Sequence, residues 1–156
     1  MKVKMTHLTD LIQSPSPGTA LRRFQGDVLA VELEAGHTGP GAAYLRTNLG
    51  RAAVRRAELI AEVHEDAPVL ARDWHDLRMR PLGDGRYRID LPLAETGCFE
   101  AKAFFLPEGD EDPLWPGGAN LELKVEPAEY SAANTLYAAF VRQFGPAKTR
   151  SSREKA

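Results

Sequence analysis

Three segments of this chain alternate apolar and polar residues with a period of two, and that period constrains the fold more than any other feature. Asp27–Glu34 (DVLAVELE) sets Leu29, Val31 and Leu33 against more polar neighbours. Arg86–Leu93 (RYRIDLPL) puts Tyr87, Ile89, Leu91 and Leu93 on one side and Arg86, Arg88 and Asp90 on the other. Asn120–Glu126 (NLELKVE) alternates Leu121, Leu123 and Val125 with Asn120, Glu122, Lys124 and Glu126. Successive side chains of a strand point to opposite faces, so each run reads as a strand with one dry and one wet side. Ala42–Asn48 (AAYLRTN) and Cys98–Leu106 (CFEAKAFFL) are two more strands, the second covered on both faces near Phe104–Leu106. Gly83-Asp84-Gly85 is a hairpin turn signal ahead of residue 86. Strands so spaced, with Gly- and Pro-rich turns between them, predict a mainly β fold, an antiparallel β-sandwich. Leu29, Val31, Ile89, Leu91, Leu121, Leu123 and Val125 are expected in one core.

One segment breaks the pattern. Arg51–His64 (RAAVRRAELIAEVH) contains no Gly or Pro and is rich in Ala, Arg, Glu and Leu, which favour helix. Ala53, Ala57, Ile60 and His64 share a helical stripe, although residues 57, 59, 61 and 63 also alternate as in a strand. The composition favours a helical insertion over 51–64, ending before Asp66-Ala67-Pro68. Thr6–Gln13 is a short apolar stretch followed by a loop, Ser14–Gly18. The chain then divides into an N-terminal arm (1–23), a β-sandwich domain (24–127), a connecting segment (128–146) and a polar, disordered tail (147–156). In the connecting segment Ala133, Leu136, Tyr137, Phe140, Val141 and Phe144 form an amphipathic stripe, stopped by Gly145-Pro146.

Charge and composition narrow the function. The 156 residues suit one domain with extensions. Twenty basic against 22 acidic groups, 20 − 22 = −2, lack the basic field of a nucleic-acid protein. The distribution is uneven: 8 basic and 4 acidic groups in 1–56, 7 and 17 in 57–130, and 5 and 1 in 131–156. No apolar run approaches the ~18 residues of a membrane span. Met1–Asp10 has Thr6, His7 and Asp10 where a secretion signal needs an unbroken apolar stretch. A cytoplasmic protein with no nucleic-acid or membrane partner is expected. A single cysteine, Cys98, excludes an internal disulfide framework, and beside Phe99 it reads as a small buried hydrophobe.

Catalytic motifs are missing. The sequence has no G-x-S-x-G elbow, phosphate-cradling glycine loop or H-E-x-x-H pair. His64, Glu65 and Asp66, and Asp73, His75 and Asp76, are two His/acid clusters whose spacing matches no standard ligand pattern. Glu108–Asp112 (EGDED) lacks the register of a calcium loop. No catalytic residue, metal or cofactor is therefore expected. The aromatics say more. Trp74 and Trp115, the two tryptophans, lie in polar, loop-like contexts, RDWHD and PLWPGG. Exposed indoles serve as flat, low-entropy binding surfaces; alternatively each caps an open end of the sandwich.

These residues carry a resemblance. Trp74–Met79 (WHDLRM), then Gly83-Asp84-Gly85 and the alternating strand, resemble the Trp, "pM" turn, Gly and strand of family 48 carbohydrate-binding modules. Gly97–Phe104 (GCFEAKAF) is similar to that family's "G-x-y-x-y-K-F", and Trp115–Val125 (WPGGANLELKV) to its second Trp and final "G-T-x-N-N-x-I-x-V" strand. Leu136–Phe144 (LYAAFVRQF) is similar to the segment that opens the catalytic barrel of family 13 α-amylase-type hydrolases. The resemblance covers roughly residues 40–145; Arg51–His64 is an insertion in it, and Leu121 stands where the family has a second Asn. It implies an immunoglobulin-like sandwich acting as the non-catalytic N-terminal accessory domain of a glycoside hydrolase of the α-amylase or glycogen-debranching kind. Such a domain binds α-1,4-glucan (glycogen, starch or maltodextrin) or packs against the barrel, which this chain is expected to lack. The residues carried over are Trp74 and Trp115 as stacking platforms, with Lys102 and Asn120 bonding sugar hydroxyls. The alternative is a structural or protein-interaction module with no sugar binding.

A barrel strand without its neighbours has unpaired edges, so residues 131–146 are expected to turn helical or fray and to promote self-association through Leu136, Phe140 and Phe144. Truncation after Pro127 should yield a monomer of nearly unchanged thermal stability, as read by sedimentation and melting. A large loss of stability would instead mean that the segment belongs to the domain's own packing.

Overall fold

The alternating runs become strands at nearly the positions their periodicity predicts. A computed structural model describes residues 11–36 and 38–132. It contains two sheets. The four-stranded sheet has the order β1 (Ile12–Ser14), β3 (Val28–Glu34), β7 (Arg86–Pro92), β6 (Arg80–Gly83). The five-stranded sheet has the order β2 (Ala20–Phe24), β9 (Leu121–Glu126), β8 (Gly97–Pro107), β4 (Gly41–Thr47), β5 (His75–Arg78). Neighbours are antiparallel except β2 and β9, which run parallel.

The inward side chains of both sheets meet in one apolar cluster. Leu29, Val31 and Leu33 enter it from β3, Ala43 and Leu45 from β4, and Leu121, Leu123 and Val125 from β9, while β8 adds Phe99, Ala101, Ala103 and Phe105. Five of the seven expected core residues are buried. Ile89 and Leu91 are half-buried against the same cluster, because β6, the neighbour of β7 on its open side, contributes no buried side chain. Gly41 is required at the start of β4: a Cβ there would strike the Leu106 carbonyl oxygen and lie 2.5 Å from the Phe105 ring.

Residues 12–24, most of them in the segment expected as an N-terminal arm (1–23), carry two short strands. They supply β1 to one sheet and β2 to the other, each as an edge strand. Their three and five residues are too short, and Arg22, Arg23 and Gln13 too polar, to show the alternation of a half-buried strand. Gln13 is nonetheless buried. Its Oε1 accepts the Ala103 N–H of β8 at 2.8 Å and its Nε2 donates to the Pro15 carbonyl at 2.9 Å. One amide thus ties an edge of the first sheet to the central strand of the second.

The insertion is a helix, α1 (Ala52–Glu65), as its composition predicts, ending on Asp66 in the left-handed conformation (φ 52°). The expected stripe is not its inner face. Ala53, Ala57, Ile60 and His64 are exposed, and Ala52, Val54, Glu58 and Ala61 are half-buried. The helix has no fully buried residue and is held by polar contacts. The Ala52 N–H donates to Glu95 Oε2 at 3.2 Å, Arg55 to the Cys98 carbonyl at 3.5 Å, and the Arg72 N–H to the Glu58 carboxylate at 3.3 Å. Cys98 is also corrected: it is exposed, because Phe99 points into the core and strand alternation turns its neighbour outward. A short helix, α2 (Glu129–Ala132), follows β9. The amphipathic stripe from Ala133 to Phe144 and the tail lie outside the described residues. Among the described residues no helix is long and apolar enough to cross a membrane.

Leu121→Ala, at a fully buried site, should cost about 2–5 kcal/mol in chemical denaturation. Gln13→Ala should cost about 1–3 kcal/mol by leaving the Ala103 N–H unpaired. Val63→Lys, on the exposed side of α1, should stay within about 0.5 kcal/mol of the parent.

Candidate functional site

On β8 two phenylalanines follow one another, so strand alternation sends Phe105 into the core and Phe104 to the outer face of the five-stranded sheet. Phe104 is nevertheless only 5% exposed, so something covers it. Tyr44, its cross-strand neighbour on β4, stacks on it at 5.4 Å with a 20° angle between the rings. Trp115 lies against it at 4.7 Å and 42°. Arg46, the next outward residue of β4, sets its guanidinium 5.3 Å from both the Phe104 and the Trp115 ring centres, within reach of a cation–π contact.

Trp115 belongs to the connection between β8 and β9 and reaches this position because that loop is pinned at two points. Leu114 and Phe105 exchange backbone hydrogen bonds of 2.7 and 2.9 Å. Lys102 Nζ donates to the Gly118 carbonyl. Arg46 is held from its other side by Asp76 of β5, with Nε to Oδ1 at 2.8 Å and Nη2 to Oδ2 at 3.0 Å. The hydrogen bonds to Asp76 raise the Arg46 pKa above its ordinary value, outweighing the opposing effect of burial, so the guanidinium stays charged.

Trp74 arrives from the opposite side. It directly precedes β5, and its N–H donates to the Ala71 carbonyl at 3.2 Å across a turn in which Ala71 is left-handed (φ 54°). Its neighbour Asp73 is buried and accepts from Asn48 Nδ2 at 3.4 Å, while Asn48 Oδ1 accepts the Glu100 N–H at 2.9 Å. Asn120, just before β9, donates from Nδ2 to Glu100 Oε1 at 3.4 Å.

The four residues singled out from sequence come together. Trp74, Lys102, Trp115 and Asn120, joined by Arg46, line one surface cavity of about 230 Å³. Trp115 is 37% exposed and Trp74 is half-buried. Lys102 faces out between the inward Ala101 and Ala103, as the alternation predicts. Sequence reasoning did not place Arg46, Tyr44 or Phe104 at this site, and it noted Asp76 only in a His/acid cluster. The signal for two of them was present, since AAYLRTN places Tyr44 and Arg46 on the face opposite Ala43 and Leu45. The Arg46–Asp76 pair links residues 30 apart and has no local signature.

Chemically the cavity offers two indoles, two cations and an amide. Aromatic walls with a few fixed polar groups are the usual make-up of a small-ligand site. Among the described residues no three His, Cys, Asp or Glu side chains gather as metal ligands. In the second His/acid cluster, Asp73 is bonded to Asn48 and Asp76 to Arg46. No family model matches the chain, and no curated protein matches it. The site itself is therefore the ground for a functional reading.

Asp76→Ala should change stability by less than about 1 kcal/mol, since the pair it breaks is largely exposed. It should also release Arg46 from its seat beside Trp115. In a Trp74→Phe background, acrylamide should then quench Trp115 more efficiently than in the parent.

Proposed function

We propose that this protein is a carbohydrate-binding module of the family 48 kind, an immunoglobulin-like sandwich that binds α-1,4-glucan through the cavity between Trp74 and Trp115. The observation that carries the reading is the convergence of Trp74, Lys102, Trp115 and Asn120, far apart in sequence, on that one cavity. A glucose ring has apolar C–H faces and a rim of hydroxyls. The indoles suit the faces, and the amide and cations suit the rim. Lys102 spends one N–H on the Gly118 carbonyl, and an ammonium has three. In this reading the domain is non-catalytic, acts in the cytoplasm and serves a glycoside hydrolase of the α-amylase type by holding its polymeric substrate.

A surface cavity of this size buries few hydrogen bonds, so affinity should be modest, with Kd on the order of 0.1–1 mM. Maltoheptaose should quench tryptophan fluorescence saturably, and the Trp74→Ala, Trp115→Ala double variant should give no response while keeping the parent's far-ultraviolet dichroism. No saturable response to maltoheptaose, glycogen or starch would discard sugar binding. The cavity residues would then be the contact surface of a structural module, such as one packed against a catalytic barrel.

A further inference from the structure

The cavity between the tryptophans is not isolated. Trp74 also lines a second cavity, of about 210 Å³, walled by Arg55, Glu58 and Leu59 of α1 with Asn48 and Asp73 at its base. Arg55, Leu59, Asn48 and Asp73 in turn border a third, of about 280 Å³, that reaches Gly97 and Cys98 at the start of β8. A fourth, of about 380 Å³, shares Arg55, Cys98 and Phe99 and continues toward β9 and β2. The outward residues of β8 mark the path in order: Phe104 under Trp115, Lys102 in the first cavity, Glu100 in the second, Cys98 in the third. Six residues of strand span about 20 Å.

This groove exists because of how α1 is attached. A helix that packs on a sheet ordinarily buries an apolar stripe and closes the gap beneath it. Here no α1 residue is fully buried, and contacts at Ala52, Arg55 and Glu58, to Glu95, the Cys98 carbonyl and the Arg72 N–H, hold the helix through its N-terminal half. Its underside presents Leu59 and Ala52 beside the Arg55 and Arg56 guanidiniums, opposite the buried polar pair Asn48 and Asp73. Alternating apolar surface and fixed donors and acceptors is the chemistry found around Trp115.

We propose that α1 extends the glucan site: an α-1,4-glucan seated on Trp115 continues past Trp74 into the groove beneath α1, so the module prefers long chains to short ones. The proposal rests on the α-glucan reading above. Arg55, which lines all three helix-bordered cavities, is its principal polar contact.

Cys98, the chain's single cysteine, is exposed at the far end of the groove and reports on its occupancy. The experiment compares maltotriose with maltoheptaose by tryptophan quenching and by the rate at which iodoacetamide alkylates Cys98 in the full chain. Maltotriose should quench fluorescence and leave the alkylation rate unchanged. Maltoheptaose at ten times its Kd should slow alkylation about tenfold, the ratio 1 + [L]/Kd expected when only the free form reacts. Arg55→Ala should weaken maltoheptaose about tenfold, the equivalent of one hydrogen bond, and leave maltotriose binding unaltered. If maltoheptaose saturates the fluorescence change and Cys98 still reacts at the free rate, the glucan stays on the tryptophans; the extension is then wrong and the α-glucan reading stands. If neither sugar quenches fluorescence, that reading fails and the extension fails with it.

Discussion

Two adjacent phenylalanines on the central strand of the five-stranded sheet organise this molecule. Phe105 goes into the core and Phe104 comes out on the other face, because a strand cannot send neighbours to the same side. Leaving a phenylalanine ring in water forfeits roughly 1.5–3 kcal/mol. The outer face at that point therefore has to be roofed, and the roof consists of Tyr44, Trp115 and Arg46. Keeping it in place requires the Leu114–Phe105 backbone bridge, the Lys102 contact to the loop and the Asp76 clamp on Arg46. Apart from Asn120 and Trp74, the groups that line the cavity are those that cover or fasten Phe104. The cavity is thus a by-product of burying one ring on the outer face of a sheet.

The strands with regular alternation were legible because burial on one face writes itself into every second residue. Residues 28–34, 86–92 and 121–126 are strands within a residue of their expected limits. What escaped detection lacks that imprint. β1 and β2 are short edges whose outward side needs no apolar residue, and Gln13 is buried for a hydrogen bond rather than for hydrophobicity. The parallel pairing of β2 with β9 joins residues about a hundred positions apart and has no local signature. The helix was legible from composition, but its inner face was not. Periodicity finds the side that packs on apolar surface, and α1 turns Ile60 and Val63 outward while Glu58 reaches in to the 71–73 turn. Trp74 and Trp115 stood out by their polar neighbours; that they meet depends on loop geometry no spacing encodes.

The attachment of α1 has energetic consequences. Apart from the half-buried Ala52 against the core, the contacts that hold it are single hydrogen bonds or an ion pair such as Arg72–Glu58. Such contacts contribute about 1 kcal/mol or less each. The helix is therefore among the parts of the domain that open most easily, whereas the β3, β4, β8 and β9 residues that meet in the core open only with the whole. A loosely held wall above a sheet admits a chain more readily than a packed one. The exposed Ile60 and Val63 remain on its outer side, whereas Leu59 borders the groove.

The charges around the site favour a neutral occupant. Residues 57–130 carry 7 basic and 17 acidic groups, yet the outer face of the five-stranded sheet is mixed rather than acidic. Arg46 is matched by Asp76, Lys102 stands between Arg46 and Asn120, and Glu100 is bonded to Asn120. Along the groove Arg55 and Arg56 oppose Glu58, Asp73 and Glu100. A phosphate polymer would meet the carboxylates, and an acidic or basic peptide would meet like charges in alternation along its length. Like charges set opposite one another in a site count against a charged partner. An uncharged polyol meets no such opposition, and each paired group still offers unused donors or acceptors to hydroxyls. Charge matching inside the site is thus what an uncharged, hydroxyl-rich occupant, such as the glucan proposed above, would require.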